Sequence, residues 1–195
     1  MARTAEVQRK TAETEITVKV DLDGSGEGAI STGIGFFDHM LQQLVKHSLL
    51  NLDIQAKGDL EVDAHHTVED VGICVGSAIK QALGKKEGIR RFASKTVPMD
   101  EALVLTSIDL SGRGSLGFDL PIDQEMIGEF PTVLVEEFFK SLIMNAGITA
   151  HIRKLAGENP HHIVEAAFKS FAQSFQEAVS ISERVKGTPS TKGTL

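Results

Sequence analysis

Two kinds of hydrophobic pattern alternate along the chain. Apolar and polar residues alternate one by one over 15–22 and again over 102–110, which predicts half-buried β-strands. In four other segments the apolar positions recur every three to four residues, which predicts amphipathic helices. The predicted helices cover 35–47, 67–83, 133–145 and 163–179.

Further strands are predicted beside the glycine-rich turns. Each alternating segment runs through such a turn into a short apolar segment, which is the pattern of a β-hairpin. Another apolar segment follows the first helix of each series. These additional strands cover 28–32, 49–56, 115–120 and 148–155.

The chain contains an internal repeat. HHTVE at 65–69 recurs as HHIVE at 161–165, 96 residues later, and Glu13 aligns with Glu101 at a shift of 88. The extra residues of the second copy fall around 121–130, where Pro and Gly indicate a longer loop. We therefore expect two similar halves and a tail. Their bounds are 1–92, 93–184 and 185–195.

One half alone would leave the apolar faces of its sheet and helices uncovered. Burying the helices of both halves between their two sheets removes this exposure. The expected fold is therefore an internally duplicated α+β fold, in which each half has a mixed four-stranded sheet and two helices. The tail is rich in Gly, Thr and Pro, so its composition alone predicts disorder.

Composition excludes several classes of protein. The 195 residues are 41% hydrophobic and carry a net charge of −7, which fits a globular protein and disfavours binding to nucleic acid or to anionic membranes. Tyr and Trp are absent, and Cys74 is the single cysteine, so we expect it to be a small core residue. No apolar run reaches the ~18 residues of a membrane span. A cytoplasmic enzyme is the default expectation.

The histidines are the strongest chemical signal. Seven histidines predict about a quarter of one adjacent pair by chance, yet two pairs occur, each with a glutamate at the same spacing. Positions i and i+4 share one face of a helix, so His65 and Glu69 can bind one ion while His66 points elsewhere. The same spacing relates His161, Glu165 and His162. The sequence thus predicts two related metal sites, each completed by a histidine from the other segment.

The first helix of each half predicts a fourth ligand. His39 lies there in the first copy, and Glu137 aligns with it in the second copy. A mixed shell of nitrogen and oxygen ligands disfavours calcium and magnesium as first choices. Manganese, iron, zinc, cobalt and nickel all remain open.

Two other segments resemble motifs of competing functions, but their surroundings do not fit those functions. DLDGS at 21–25 follows a strand, as in aspartate-nucleophile phosphatases, but the equivalent place at 109–112 reads DLSG. The GRGSLG segment at 112–117 matches GxGxxG but leads into a strand instead of a helix. The HExxH order of zinc proteases is absent. A di-metal phosphoesterase and a non-catalytic, metal-bound shell protein remain as alternatives.

Several separate cations could bind an anion, although each also has an ordinary explanation. Lys169 lies four residues after Glu165, where a helix ion pair forms, and Arg113 lies in a turn. The candidates are Arg90, Arg91, Arg113, Lys169 and Lys192.

Four segments together resemble the imidazoleglycerol-phosphate dehydratase family of histidine biosynthesis, and the similarity covers nearly the whole chain. They are FDHML at 37–41, DAHHTVED at 63–70, GENPHHIVEAAFK at 157–169 and PSTKG at 189–193. The resemblance implies a duplicated α+β subunit, two Mn²⁺ ions per active site, sites shared between neighbouring subunits, and trimers that assemble into a 24-subunit shell. It also implies conversion of D-erythro-imidazoleglycerol phosphate to imidazoleacetol phosphate.

The resemblance also implies the roles of individual residues. Glu13 corresponds to an acid/base beside the glycerol chain, and the tail is expected to order over the ligand. In some family members a histidine occupies the position of Glu137. The implied metal ligands are His39, His65, His66, Glu69, Glu137, His161, His162 and Glu165, of which Glu69 and Glu165 also count as catalytic. The implied phosphate-binding residues are Arg91, Arg113, Lys169, Thr191 and Lys192.

The implied reaction needs an electron source within the substrate, because the C–H bond beside a simple alcohol is too weak an acid for any side chain. Two metal ions on the ring nitrogens would stabilise an imidazolate. The anionic ring can then expel the side-chain hydroxide to give a diazafulvene-like intermediate. Loss of a further proton yields an enol that becomes the ketone.

Overall fold

The computed structural model describes residues 2–195 and has an α+β fold. The order of elements in the first half is repeated in the second half, with a small insertion before the third helix. The first half contains β1 (Thr4–Lys10), β2 (Thr14–Asp21), β3 (Ile30–Ser31), α1 (Gly35–Ser48), β4 (Asn51–Gly58) and α2 (His65–Leu83). The second contains β5 (Phe92–Met99), β6 (Ala102–Asp109), β7 (Ser115–Asp119), β8 (Met126–Ile127), β9 (Phe130–Pro131), α3 (Val133–Ala146), β10 (Thr149–Ala156) and α4 (Pro160–Val179).

Each half forms a mixed four-stranded sheet, with the orders β1-β2-β4-β3 and β5-β6-β10-β7. The predicted hairpin between 15–22 and 28–32 is wrong, and so is its counterpart in the second half. β3 runs parallel to β4 because α1 connects them as a crossover, and β4 separates β3 from β2. The hairpin partner of β2 is β1, an edge strand whose largely exposed residues give little hydrophobic signal.

All four helices lie between the two sheets, as predicted. α2 packs on β1 and β2, α4 packs on β5 and β6, and the pairs α2–α3 and α1–α4 join the halves. One core contains residues of both sheets and every helix, including Cys74, which is fully buried. Gly76 explains the close approach of α2 to α3, since a Cβ there would lie 2.3 Å from the Leu142 carbonyl oxygen.

The two long helices begin earlier than predicted, at His65 and Pro160. Each histidine pair therefore lies in the first turn of its helix. The Asn159 side chain caps α4 by accepting hydrogen bonds from the backbone N–H groups of His161 and His162. The Asp63 carboxylate accepts from the backbone N–H of His65 in the same way. These caps fix the histidine backbones.

The inserted segment is a two-stranded hairpin, β8–β9, where the sequence predicted only a loop. Phe130 of this hairpin is buried, and its ring lies 5.3 Å from that of Phe36 and 6.1 Å from that of Phe37. The insertion therefore covers the N-terminal end of α1. Among residues 2–195 no helix has the length and apolar character needed to cross a membrane.

The C-terminal tail is hydrogen-bonded to the segment that joins the two halves, in contrast to the disorder that its composition predicts. The Gly88 N–H donates to the Gly187 carbonyl, and an Arg91 Nη1 donates to the Pro189 carbonyl at 2.8 Å. The chain end reaches Gly112, where a Cβ would lie 2.9 Å from the carboxyl carbon of Leu195. Tertiary contacts thus hold a segment that has no apolar pattern of its own.

Candidate metal centre

Three of the predicted metal ligands converge at one place, between α1 and α4. Glu165 Oε2 lies 3.3 Å from His39 Nε2 and 3.2 Å from His161 Nε2, and each residue offers a ligand atom within 4.8 Å of the others. The i and i+4 spacing on α4 aligns His161 with Glu165, and the packing of α1 on α4 adds His39. Only 8% of the Glu165 side chain is exposed, against 42% and 41% for the two histidines. The group is therefore open on its imidazole side.

Glu165 is held as a carboxylate. Burial alone would raise its pKa, but hydrogen bonds and charge from Lys169, His161 and His39 outweigh burial and lower it. Lys169 Nζ lies 2.5 Å from Glu165 Oε1, so the ordinary helix ion pair is present, and Oε2 faces the histidines. Two imidazole nitrogens and one carboxylate form a donor set suited to a transition-metal ion.

The repeat-equivalent residues on α2 and α3 do not converge in this way. His65 Nε2 and Glu69 Oε2 are 4.0 Å apart, and Glu137 Oε2 lies 3.5 Å from Lys140 Nζ. Within residues 2–195 no second group of three ligand atoms comes together. The structure therefore places His65 and Glu69 on one helix face, as predicted, but does not bring Glu137 to them.

The second histidine of each pair binds a carboxylate through Nδ1. His66 Nδ1 lies 3.0 Å from Asp59 Oδ2, and His162 Nδ1 lies 2.7 Å from Glu101 Oε2. The hydrogen bond to the carboxylate raises the pKa of each histidine. This arrangement leaves Nε2 without a hydrogen bond to the described part of the chain, although Asp100 Oδ2 lies 3.7 Å from His162 Nε2, and it is common behind metal-bound histidines. Sequence reasoning missed both carboxylates, although the repeat had already paired Glu101 with Glu13.

Glu13 and Glu101 occupy equivalent turns but have different surroundings. Glu101 accepts from the Asn159 N–H at 2.9 Å and from His162, and these hydrogen bonds lower its pKa to about 2. Glu13 is exposed at the β1–β2 turn, with Oε2 3.8 Å from His66 Nδ1. The Glu13 carboxylate is therefore the one free to approach another molecule.

The predicted phosphate-binding residues lie in two places. Arg91 bonds to Asp109 at 2.7 Å and to the tail, while Arg113 donates to the Ser111 carbonyl in the next turn. Thr191 and Lys192 are exposed in the tail, and Lys169 lies instead beside the Glu165 group. Sequence reasoning missed Lys86, a buried lysine near Arg91 and Arg113 whose pKa is lowered chiefly by burial.

His47 and His151, which fall outside the repeat, also differ from each other. His47 is half-buried, and its pKa is lowered by burial and by the charge of the nearby Lys169. It therefore lies behind the Glu165 group. His151 is exposed on β10.

Comparison with known proteins identifies the family. The family model for imidazoleglycerol-phosphate dehydratase matches residues 32–175. An imidazoleglycerol-phosphate dehydratase from Acetivibrio thermocellus is 57% identical over 195 residues, which cover 100% of both chains. The crystal structure of the Staphylococcus aureus N315 enzyme has a TM-score of 0.84 at 36% identity, covering 92% of this chain and 99% of that one. The Pyrococcus furiosus enzyme, solved in complex with (S)-C348, has a TM-score of 0.83 at 38% identity, covering 97% and 100%. The chain therefore belongs to the imidazoleglycerol-phosphate dehydratase family of enzymes.

Proposed function

We propose that the chain catalyses the metal-dependent dehydration of D-erythro-imidazoleglycerol phosphate to imidazoleacetol phosphate in histidine biosynthesis. The family membership supports the reaction. The observation that carries the metal dependence is the convergence of His39, His161 and Glu165 on one point. A structural role alone does not explain two imidazoles that meet a buried carboxylate on an open surface.

The donor sets fit two Mn²⁺ ions per active site. His39, His161 and Glu165 would hold one ion, and their repeat equivalents Glu137, His65 and Glu69 would hold the other. His66 and His162 would complete the shells from neighbouring copies of the chain, since each uses Nδ1 for its hydrogen bond to a carboxylate and neither belongs to the converged group. When bound, the ions would supply the positive charge that stabilises the deprotonated imidazole ring of the substrate.

The chain's own residues would control the protons and the phosphate. Glu13 would protonate the departing hydroxyl or remove the next proton, because it is an exposed carboxylate 3.8 Å from a proposed ligand histidine. Glu69 and Glu165 would hold the ions that contact the imidazole ring of the substrate. Arg91, Arg113, Lys169, Thr191 and Lys192 would bind the phosphate. Within the proposed division into repeats 1–92 and 93–184, the tail 185–195 would close over the phosphate.

Assembly follows from the incomplete donor sets. If ligands from neighbouring copies share an ion, the active form is an oligomer, and we propose trimers that build a 24-subunit shell. The proposed partners are thus the small phosphorylated substrate and further copies of this chain, without nucleic acid or membrane. The proposed location is the cytoplasm.

Incubation of the purified protein with imidazoleglycerol phosphate and Mn²⁺ tests the function. We expect imidazoleacetol phosphate to form, with no release of inorganic phosphate. Phosphate release would indicate the di-metal phosphoesterase instead, and an unchanged substrate with metal bound would indicate the non-catalytic protein. His151→Asn is the matched control, because His151 is an exposed histidine outside the converged group, so its turnover should stay normal.

Chelation tests the proposed link between metal and assembly. Removal of the ions should dissociate the oligomer, because a bound ion stabilises the state that binds it. Mass in solution before and after verified metal removal is the measurement. An unchanged mass would contradict shared ions.

A further inference from the structure

A polar network lies beneath the turn that carries Glu13, with Asp70 and Thr14 buried and Arg9 exposed. Asp70 on α2 is only 6% exposed, and its Oδ1 accepts from Arg9 Nε at 2.9 Å. Its Oδ2 accepts from the Thr14 hydroxyl at 2.5 Å. The Thr11 hydroxyl in turn accepts from the backbone N–H groups of Glu13 and Thr14 at 3.1 and 2.9 Å. The backbone of the Glu13 turn is therefore tied to helix α2.

The equivalent place in the second half is apolar. The β5–β6 turn has the same pairing as the β1–β2 turn and packs on α4 as the first turn packs on α2. Three of the four substituted positions there are buried, at 8%, 1% and 0% exposure. The residues that replace Arg9, Thr11, Thr14 and Asp70 are, in order, Val97, Met99, Ala102 and Ala166. The β5–β6 turn thus packs on α4 without a polar network, so the fold itself does not require such a network.

Such a network also carries a cost in stability. The Asp70 carboxylate is buried and loses hydration even though it is paired, while its partner Arg9 stays exposed. Thr67 adds to this cost, because its buried hydroxyl has no hydrogen-bond partner within residues 2–195, whereas its repeat equivalent is Ile163. Polar groups in only one half therefore point to a task that only this half performs.

Glu13 is the residue of this half whose function the network can serve. Glu101 is held directly, by His162 and by the Asn159 N–H. Glu13 is exposed, and an acid/base must keep its carboxylate free, so only its backbone can be fixed. We propose that Asp70, acting through Thr14 and Arg9, is a positioning residue that holds the Glu13 carboxylate at the substrate. This inference rests on the proposed function, in which Glu13 transfers a proton.

The experiment grafts the apolar residues of the second half onto the first, as Arg9→Val/Thr14→Ala/Asp70→Ala. We expect an oligomer with unchanged metal content and unchanged KM but a kcat lowered by about 10- to 100-fold, since small misplacements of a reacting group cost this much. Amide hydrogen exchange of the 9–16 segment should become faster. Normal kcat, or unchanged exchange in this segment, would overturn the proposal.

The matched control changes the buried hydroxyl pair of the second half. Thr106 and Ser170 lie 2.7 Å apart between β6 and α4, and their repeat equivalents are Val18 and Cys74. Thr106→Val/Ser170→Cys therefore also exchanges buried polar groups for the residues of the other half. Its kcat and its exchange over 9–16 should stay at wild-type values, and a loss equal to that of the graft would overturn the assignment.

A double-mutant cycle with Glu13→Gln separates positioning from a general structural effect. If Asp70 acts through Glu13, the graft should cause no further loss of kcat once Glu13→Gln is present. Additive losses would overturn the proposal, and so would a loss of metal, which would show that the network acts through the neighbouring Glu69. Should the graft fail to fold, Thr14→Val removes one donor to Asp70 and keeps the ion pair with Arg9, with the same expectations.

These outcomes are distinguishable from a failure of the proposed function. A wild-type protein that forms no imidazoleacetol phosphate refutes the function, whereas an active wild type, an impaired Glu13→Gln and an additive cycle refute only the positioning role. Full turnover of Glu13→Gln refutes the acid/base role of Glu13 and the positioning role together.

Discussion

The two helix interfaces that join the halves, α1–α4 and α2–α3, carry equivalent candidate ligands in different states of organisation. On α1 and α4, His39 and His161 meet Glu165 within hydrogen-bond distance. Their equivalents around α2 and α3 are spread, with His65 4.0 Å from Glu69 and with Glu137 beside Lys140. Duplication therefore reproduced the scaffold and the residue types, but only the α1–α4 interface brings its donor atoms together within a single chain.

The equivalent helices α2 and α4 also differ in the residues that they present for packing. α2 has Gly72 and Gly76 against α3, where a Cβ would lie 2.9 and 2.3 Å from backbone carbonyl oxygens. α4 has Phe168 and Ala172 at the equivalent positions. Equal sequence spacing along a helix thus does not fix the distance to the next helix, which depends on the size of the residues in the interface.

The largest expected effect separates Glu13 from Glu101. Glu13→Gln should lower kcat by about 10²- to 10⁴-fold with metal retained, because it removes the proposed acid/base and leaves the proposed ligands intact. Glu101→Gln should instead weaken metal binding by about 10- to 100-fold through His162. Steady-state kinetics across a Mn²⁺ titration is the measurement. Excess Mn²⁺ should restore the activity of Glu101→Gln and leave the kcat of Glu13→Gln low. The reverse result would contradict the assignment.

Metal binding sharpens the contrast between the two ligand groups. We expect the converged group to bind the tighter ion, because its donors need no rearrangement. Glu165→Gln should therefore remove the tighter of two binding steps, by at least about 100-fold, while Glu69→Gln should remove the weaker step. Calorimetric titration of the metal-free protein with Mn²⁺ distinguishes them. Loss of the same binding step in both variants would show that the two ligand groups do not form different sites.

Helix packing gives an intermediate effect. Gly76→Ala should lower the free energy of unfolding by about 1–3 kcal/mol, because the added Cβ meets the Leu142 carbonyl and the two helices must separate. Urea unfolding measures this change. Gly35→Ala is the control, because no atom lies within 4 Å of a Cβ added there. Equal midpoints for the two variants would mean that the α2–α3 approach is not tight.

The smallest effect is an ion-pair difference between the halves. Glu177 on α4 bonds to Lys95 and Arg90, which lower its pKa from 4.5, whereas the equivalents of Glu177 and Lys95 are Gln81 and Val7. A lowered pKa gives stability that is fully present above the unfolded value of 4.5 and is lost as the pH falls below it and through the lower folded value. Because solvent screens this pair, Glu177→Gln should remove at most about 1 kcal/mol of that pH dependence. Unfolding curves of both proteins above and below pH 4.5 provide the test, and parallel pH profiles would contradict it.

Sequence reasoning succeeded where the signal was local and periodic. The four helices, the duplication and the i, i+4 alignment of His161 with Glu165 all follow from spacing along one element. It failed for β1, because an exposed edge strand has little hydrophobic pattern. It also failed for the pairing of β3, because two strands separated by a short turn have the same sequence pattern whether or not they pair with each other. The carboxylate behind His162 was missed because Glu101 is 61 residues away in sequence. Asp59 is only seven residues from His66, but it lies in a turn, where no periodic pattern indicates which side chain it meets.

The amino-acid sequence by itself determined the repeat, the helix faces and the residue types able to hold a metal, because these depend on spacing within single elements. Only the tertiary structure decided which of those residues meet. His39 reaches Glu165 through helix packing across the halves, and Asp70 reaches the Glu13 turn through the packing of α2 on β1 and β2. Distances between elements depend on side-chain volume and burial over the whole core, which no local pattern encodes.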